Sequence, residues 1–183
     1  MRAVVLHEHG GPKSLVYEEN FPDPIPRPGD VIVKVKATSL NYHDIFTRNG
    51  MPGIEIDMPM ICGLDVAGEI VELGSNVNDW SIGDRVLVDP RNRVEGGLVG
   101  ETIHGGLAEF CRVPDHQLIL IPNDVTFAQA ASLPVAYGTA HRMMVTHGKI
   151  LAGEKCLILG ASGGVGTGCV LLAKMAGAEV IVC

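Results

Sequence analysis

The sequence predicts a β-rich barrel or sandwich domain followed by the first part of a doubly wound α/β sheet, and three observations carry that prediction. Short apolar runs separated by turn residues recur through the first two-thirds of the 183 residues. After Pro122 the apolar spacing becomes helical. Residues 155–183 then read as strand, glycine-rich turn, helix and strand, a βαβ unit that implies a parallel pair. The change of pattern divides the chain into a domain of residues 1–122 and a partial domain of residues 123–183.

The clearest strand is 31–36, where Val31, Val33 and Val35 share one face and Lys34 and Lys36 the other. Further strands are expected at 3–6, 67–73, 85–88, 108–113 and 118–121, with turn chemistry at 28–30, 74–76, 82–84 and 96–97. Alternate prolines at 22, 24, 26 and 28 dictate an extended segment that cannot donate a full ladder, an edge leading into the strand at Val31. Thr126 and Gln129 have the spacing of a capping box, which opens a short helix that Pro134 ends. A second helix is expected over 135–145, a strand over 155–159, a third helix over 164–176 stopped by Gly177, and a last strand over 179–183.

Composition removes several classes of function. Fourteen basic against 21 acidic residues give a net charge of −7 with no basic face, which argues against nucleic-acid binding. The 46% hydrophobic content is ample for a packed core. No run approaches the roughly 18 apolar residues of a membrane span, and Met1–Leu6 passes into His7-Glu8-His9 too soon for a signal peptide. Five widely spaced cysteines (62, 111, 156, 169 and 183) without a Cys-x-x-Cys pair imply free thiols and a cytoplasmic location.

The strongest chemical signal is Gly160-Ala161-Ser162-Gly163-Gly164-Val165-Gly166, set between a strand and a helix. Gly163 would let the backbone approach a pyrophosphate, Gly166 would let the helix pack on the strand, and amides around Gly163–Val165 would face the phosphates at a helix N-terminus. The same turn could be a tight strand-to-helix connection that binds nothing. A Walker loop is excluded because no lysine precedes Thr167, and Tyr137 with His141 is not a Tyr-x-x-x-Lys pair. Counting about 20 residues on from Gly163 reaches Cys183, and the residue that would discriminate NAD from NADP is expected just beyond it, so the sequence leaves the two open.

In order along the chain, Ser39-Leu40-Asn41-Tyr42-His43-Asp44 with Arg48 and Gly50, Gly63-Leu64-Asp65-Val66-Ala67-Gly68, Gly83-Asp84-Arg85-Val86, Gly105-Gly106-Leu107-Ala108-Glu109 and the glycine loop resemble the medium-chain dehydrogenase/reductase superfamily. The resemblance implies a GroES-like β domain joined to a Rossmann domain truncated here, the N-terminal half or a little more of a longer member. Zinc alcohol dehydrogenases of that superfamily have Cys, His and Cys on the catalytic metal, at positions that match Asn41, Leu64 and the neighbourhood of Pro134-Val135, none of which can serve. Their structural-zinc lobe would fall over 89–101, which has no cysteine. A displaced metal cluster of His43, Cys62 and Asp65 is the residual alternative, and Cys62 otherwise reads as a small buried residue.

Residues 40–50 and 63–68 look like the zinc-free quinone-oxidoreductase and enoyl-reductase branch. That resemblance implies NADP or NAD as cofactor, leaning to NADP, with no zinc, and hydride transfer to an enone, quinone or carbonyl substrate. Asn41 would orient the acceptor oxygen. His43 would either supply a proton or hold Asp44, and Arg48 would either contact substrate or phosphate or pair with Asp44. Thr139 would either touch the nicotinamide or pack between helices. A small-molecule substrate and a homo-oligomer are expected, the latter because a lone βαβ unit leaves apolar faces and an open edge over 155–183. This stretch of chain alone would be inactive. Two further readings remain open, a zinc enzyme with a displaced metal and a non-catalytic binding protein.

Overall fold

The computed structural model describes residues 1–183, which divide into two compact units, Met1–Ser132 and Leu133–Cys183. The first contains, in chain order, β1 (Ala3–Leu6), β2 (Leu15–Glu18), β3 (Asp30–Ser39), α1 (Tyr42–Asn49), β4 (Met60–Ile61), β5 (Asp65–Leu73), β6 (Arg85–Val88), β7 (Phe110–Pro114), β8 (Leu118–Leu120) and α2 (Phe127–Ala131). A five-stranded antiparallel sheet has the order β7-β3-β5-β6-β8, and a smaller sheet has the order β2-β1-β4.

The valines that alternate in the sequence form the core. Val31 and Val33 from β3 meet Val66 and Ile70 from β5, Val86 and Val88 from β6, and Val113 from β7, all of them fully buried. Lys34 and Lys36 face outward as the alternation predicts. β7 starts at Phe110 instead of residue 108, because Ala108 bridges to Ala3 and the Glu109 amide donates to the Arg2 carbonyl. The chain therefore leaves one sheet for the other at that point. The proline-rich segment joins no ladder, so the expected edge does not form. It is tied instead by the Met1 ammonium on the Phe21 carbonyl and the Arg112 guanidinium on the Ile25 carbonyl.

The first unit runs on past Pro122 to Ser132. Arg85 holds the connecting segment by donating to the Pro122 and Val125 carbonyls, and its guanidinium lies 4.7 Å above the Phe127 ring. The expected capping box then opens α2, with the Gln129 amide on Thr126 Oγ1 at 3.2 Å and the Thr126 amide on Gln129 Oε1 at 2.9 Å. Ala130 and Ala131 pack with Ala67 and Ile121.

The second unit contains α3 (Ala136–His141), which continues as a π-helical turn over Arg142–His147, then β9 (Lys155–Ile158), α4 (Gly164–Met175) and β10 (Glu179–Val182). β9 and β10 pair in parallel, from Glu179 opposite Lys155 to Val182 opposite Ile158. Ala140, Met144, Ile158, Cys169 and Ala173 make its small core, while Leu157, Leu159, Ile181 and Val182 are exposed.

Candidate functional site

Three elements of the first unit place polar groups in one cluster. The end of β3 carries Ser39, Asn41 caps α1, His43 and Asp44 form its first turn, and Asp65 opens β5. α1 has an inverted burial pattern. Its buried residues are the polar Asp44 and Thr47, whereas Tyr42, Ile45 and Phe46 are exposed.

Each candidate side chain is held by a buried carboxylate. Asp65, with no exposed surface, accepts from Asn41 Nδ2 at 2.9 Å and from Ser39 Oγ at 2.5 Å, both on Oδ2. The first bond fixes which end of the Asn41 amide faces inward and uses one of its two N–H groups. Asp44 accepts the Asn41 amide on Oδ2 at 2.8 Å and the Gly63 amide on Oδ1 at 2.9 Å. Burial pushes the Asp44 carboxyl above the usual range, while these two amides and the nearby His43 draw it back. His43 Nε2 lies 2.5 Å from Oε2 of Glu101, whose side chain is only 9% exposed.

These contacts bear on the Asp44 pairings considered for His43 and for Arg48. His43 makes its hydrogen bond to Glu101 and not to Asp44. Arg48 Nε donates to the Gly10 carbonyl at 3.1 Å and the guanidinium also reaches Asn49, so no pair with Asp44 forms. The set His43, Cys62 and Asp65 is corrected as well. No three His, Cys, Asp or Glu side chains converge closely enough to hold a metal ion, because Asp65 is engaged by Asn41 and Ser39, and His43 by Glu101. Glu101 has no signal in the sequence, since 58 residues separate it from its partner.

Cys62 is buried, and its thiol is pushed up to about 11, first by burial and then by the charge of Asp44. Cys111 rises to about 12 through burial. Both thiols hold their protons more tightly in the folded state. Their contribution to stability is therefore present at neutral pH and is lost as pH rises above the ordinary thiol range toward these values. Iodoacetamide at pH 8 is expected to label exposed Cys183 at least about 100-fold faster than Cys62 or Cys111. Peptide mass mapping checks this, and equal labelling of Cys62 would show its thiol to be accessible and reactive.

In the second unit the glycine loop joins β9 to α4. Gly163 is the N-cap of α4 in an extended conformation with no side-chain cap, and no acidic residue stands in the first turn. The positive end of the helix dipole and its unpaired amides thus face outward beside exposed Ser162, Gly163 and Gly164. A Cβ at Gly166 would lie 2.2 Å from the Gly160 carbonyl oxygen and 2.8 Å from Ala161 Cα, so the loop folds directly over the helix at this position. Val165 and Ala161 pack against the small core. α3 meets α4 through small residues, with Ala136 Cβ against Gly164 and Ala140 Cβ against Gly168. Thr139 is exposed and takes no part in the small-residue contact between α3 and α4. The loop's shape and uncapped amides fit a pyrophosphate.

The first unit is an antiparallel two-sheet domain with a buried-carboxylate cluster, and a glycine-rich strand-to-helix turn of the dinucleotide type follows it, the pairing of parts that marks the class of GroES-like domains joined to α/β domains. Residues 27–123 match the family of the alcohol dehydrogenase GroES-like domain. The chain belongs to that family and, with it, to the medium-chain dehydrogenase/reductase superfamily. It is 34% identical over 181 residues to the quinone oxidoreductase of Homo sapiens, covering 99% of this chain and 52% of that protein. It is 38% identical over 175 residues to the chloroplastic NADPH-dependent alkenal/one oxidoreductase of Arabidopsis thaliana, covering 95% and 44%. The crystal structure of an NAD-dependent alcohol dehydrogenase superposes with a TM-score of 0.92 at 31% identity, covering all of this chain and 57% of that one. The chain spans about half the length of the curated relatives it matches.

Proposed function

We propose that the chain provides the substrate-orienting cluster and the pyrophosphate-binding turn of an NAD(P)H-dependent reductase that acts without zinc on an enone, quinone or other carbonyl acceptor. The observation that carries the reading is the Gly160–Gly166 turn, whose uncapped helix start and closely packed Gly166 suit a dinucleotide. A bound dihydronicotinamide supplies hydride, and every other task falls to the chain. The Gly163 amide closes the turn on the Gly160 carbonyl, so the amides of Gly164 and Val165 are left to hold the pyrophosphate, and exposed Thr139 offers a hydroxyl for the nicotinamide side.

Asn41 has one N–H on Asp65 and a second for the acceptor oxygen. When hydride reaches the β-carbon of an enone, negative charge gathers on that oxygen, and the Asn41 amide stabilises it. His43 or water then delivers a proton to the adjacent carbon, which leaves a saturated ketone and the oxidised cofactor. Asn41 and Leu64 at the positions of metal ligands, and the absence of three converging donor side chains, support chemistry without a Lewis acid. The relatives named for quinones and for alkenals support the acceptor class. The NADPH in one of those names favours NADP, although the similar alcohol dehydrogenase structure is NAD-dependent by title.

Fluorescence titration of the purified protein with NADPH and NADH tests the reading. Saturable binding is expected, tighter for NADPH, and failure of both nucleotides to bind would favour a non-catalytic role. In an active preparation, Asn41→Ala is expected to lower turnover about 100-fold with nucleotide affinity unchanged. Unchanged turnover removes Asn41 from the mechanism.

A further inference from the structure

Glu101 sits on a tight turn that the sequence does not mark as part of any site. The turn is closed by the Gly100 amide on the Ile103 carbonyl at 2.8 Å and by the Leu98 amide on Thr102 Oγ1 at 2.9 Å. Gly100 has φ +77°, and a Cβ there would lie 2.9 Å from the Gly63 nitrogen, so the turn is pressed directly against the Gly63 backbone. Gly63 in turn donates its amide to Asp44, the neighbour of His43 in the first turn of α1. Both ends of the His43–Glu101 pair are thereby referenced to the same glycine, by backbone packing on the Glu101 side and through the Asp44 carboxylate on the His43 side.

We infer that Glu101 is a positioning residue that fixes the ring and tautomer of His43, so that Nδ1 is the atom that exchanges a proton with substrate. A carboxylate oxygen 2.5 Å from a ring nitrogen requires that nitrogen to be the donor. Nε2 therefore keeps its proton in both charge states of the ring, and only the proton on Nδ1 comes and goes. In the reductive direction Nδ1–H passes its proton to the substrate carbanion, the ring remains as the neutral Nε2–H form bound to Glu101, and solvent water returns a proton to Nδ1. The inference rests on the reading of His43 as the proton source, and the tautomer itself is measurable without turnover.

The test is ¹⁵N NMR of the histidine side chains in the labelled 183-residue protein, with His43 assigned from His43→Gln. At neutral pH the expected His43 signals are a protonated Nε2, with a correlated proton slow to exchange, and an unprotonated Nδ1. In Glu101→Gln the two nitrogen shifts should move toward each other as both tautomers become populated and the Nε2 proton becomes fast to exchange. A His43 protonated on Nδ1 in the unaltered protein overturns the inference, as does a pattern that Glu101→Gln leaves unchanged. The unaltered protein decides the tautomer by itself if Glu101→Gln does not fold. In an active preparation Glu101→Gln should lower turnover about 10–100-fold with nucleotide affinity retained. If neither nucleotide binds, the functional reading fails, while a fixed Nε2–H tautomer still upholds the positioning role.

Discussion

Gly166→Ala is expected to weaken nucleotide binding about 100-fold, which at about 1.4 kcal/mol per decade corresponds to roughly 3 kcal/mol. The cause is backbone and not side-chain chemistry. The added Cβ would stand 2.2 Å from the Gly160 carbonyl oxygen and 2.8 Å from Ala161 Cα, and neither atom belongs to a flexible side chain that could swing aside. The turn from β9 to α4 must open, and the amides around Gly163–Val165 lose the direction that a pyrophosphate would need. Overpacking of this kind costs about 1–3 kcal/mol of stability, so the melting temperature of the second unit should fall as well. Gly163→Ala is the control. Its Cβ would meet only the Gly160 oxygen at 3.5 Å, and φ is −77°, so the fold should keep its stability to within about 0.5 kcal/mol. The methyl group would nonetheless stand where the backbone is read as approaching phosphate, and binding should weaken about 10-fold. Titration and thermal unfolding of the two variants separate a glycine that serves the fold from one that serves the ligand. If Gly166→Ala binds NADPH as the unaltered chain does, the turn is only a connection.

How much of this was legible depends on the range of the interactions. β1 and β6 have the bounds expected from short apolar runs and the turn residues around them, because such runs and turns are written in adjacent letters. The Thr126 capping box is similarly local. α1 was invisible to apolar spacing because it buries Asp44 and Thr47 and exposes Tyr42 and Phe46. A local signal did exist, since Asn41 and Asp44 have the three-residue separation of a cap, and the Asp44 carboxylate does accept the Asn41 amide. β2 and β4 are too short or too exposed for a pattern, and β4 exists only through its pairing with β1. Asn41 and His43 could be singled out by resemblance, but what orients them could not. Asp65 and Glu101 reach them from β5 and from the turn at Gly100, and such tertiary contacts leave no periodicity in a single sequence.

Asp65→Ala should be the most damaging single change in the first unit, and it should act on stability and on turnover together. Asp65 is fully buried at the start of β5, so no water stands ready to replace its oxygens. Removing the carboxylate orphans Ser39 Oγ–H and one N–H of Asn41, each at a cost of about 1–3 kcal/mol, and adds a cavity beside the central β3–β5 pair. A loss of roughly 3–6 kcal/mol follows, comparable to the whole stability of many domains. Asp65→Asn separates the two effects. Its carbonyl oxygen can stand where Oδ2 stands and still accept from both Ser39 and Asn41, so folding should survive with a smaller loss. The neutral amide holds Asn41 less firmly than a carboxylate does, because hydrogen bonds to a charged acceptor are about twice as strong. Turnover of Asp65→Asn should therefore fall toward that of Asn41→Ala while its melting temperature stays nearer the unaltered value. Denaturant unfolding of the chain, and steady-state rates in an active full-length preparation, check the two expectations. If Asp65→Asn is as active as the unaltered protein, Asn41 does not depend on that bond for its orientation, and the buried carboxylate serves the fold alone.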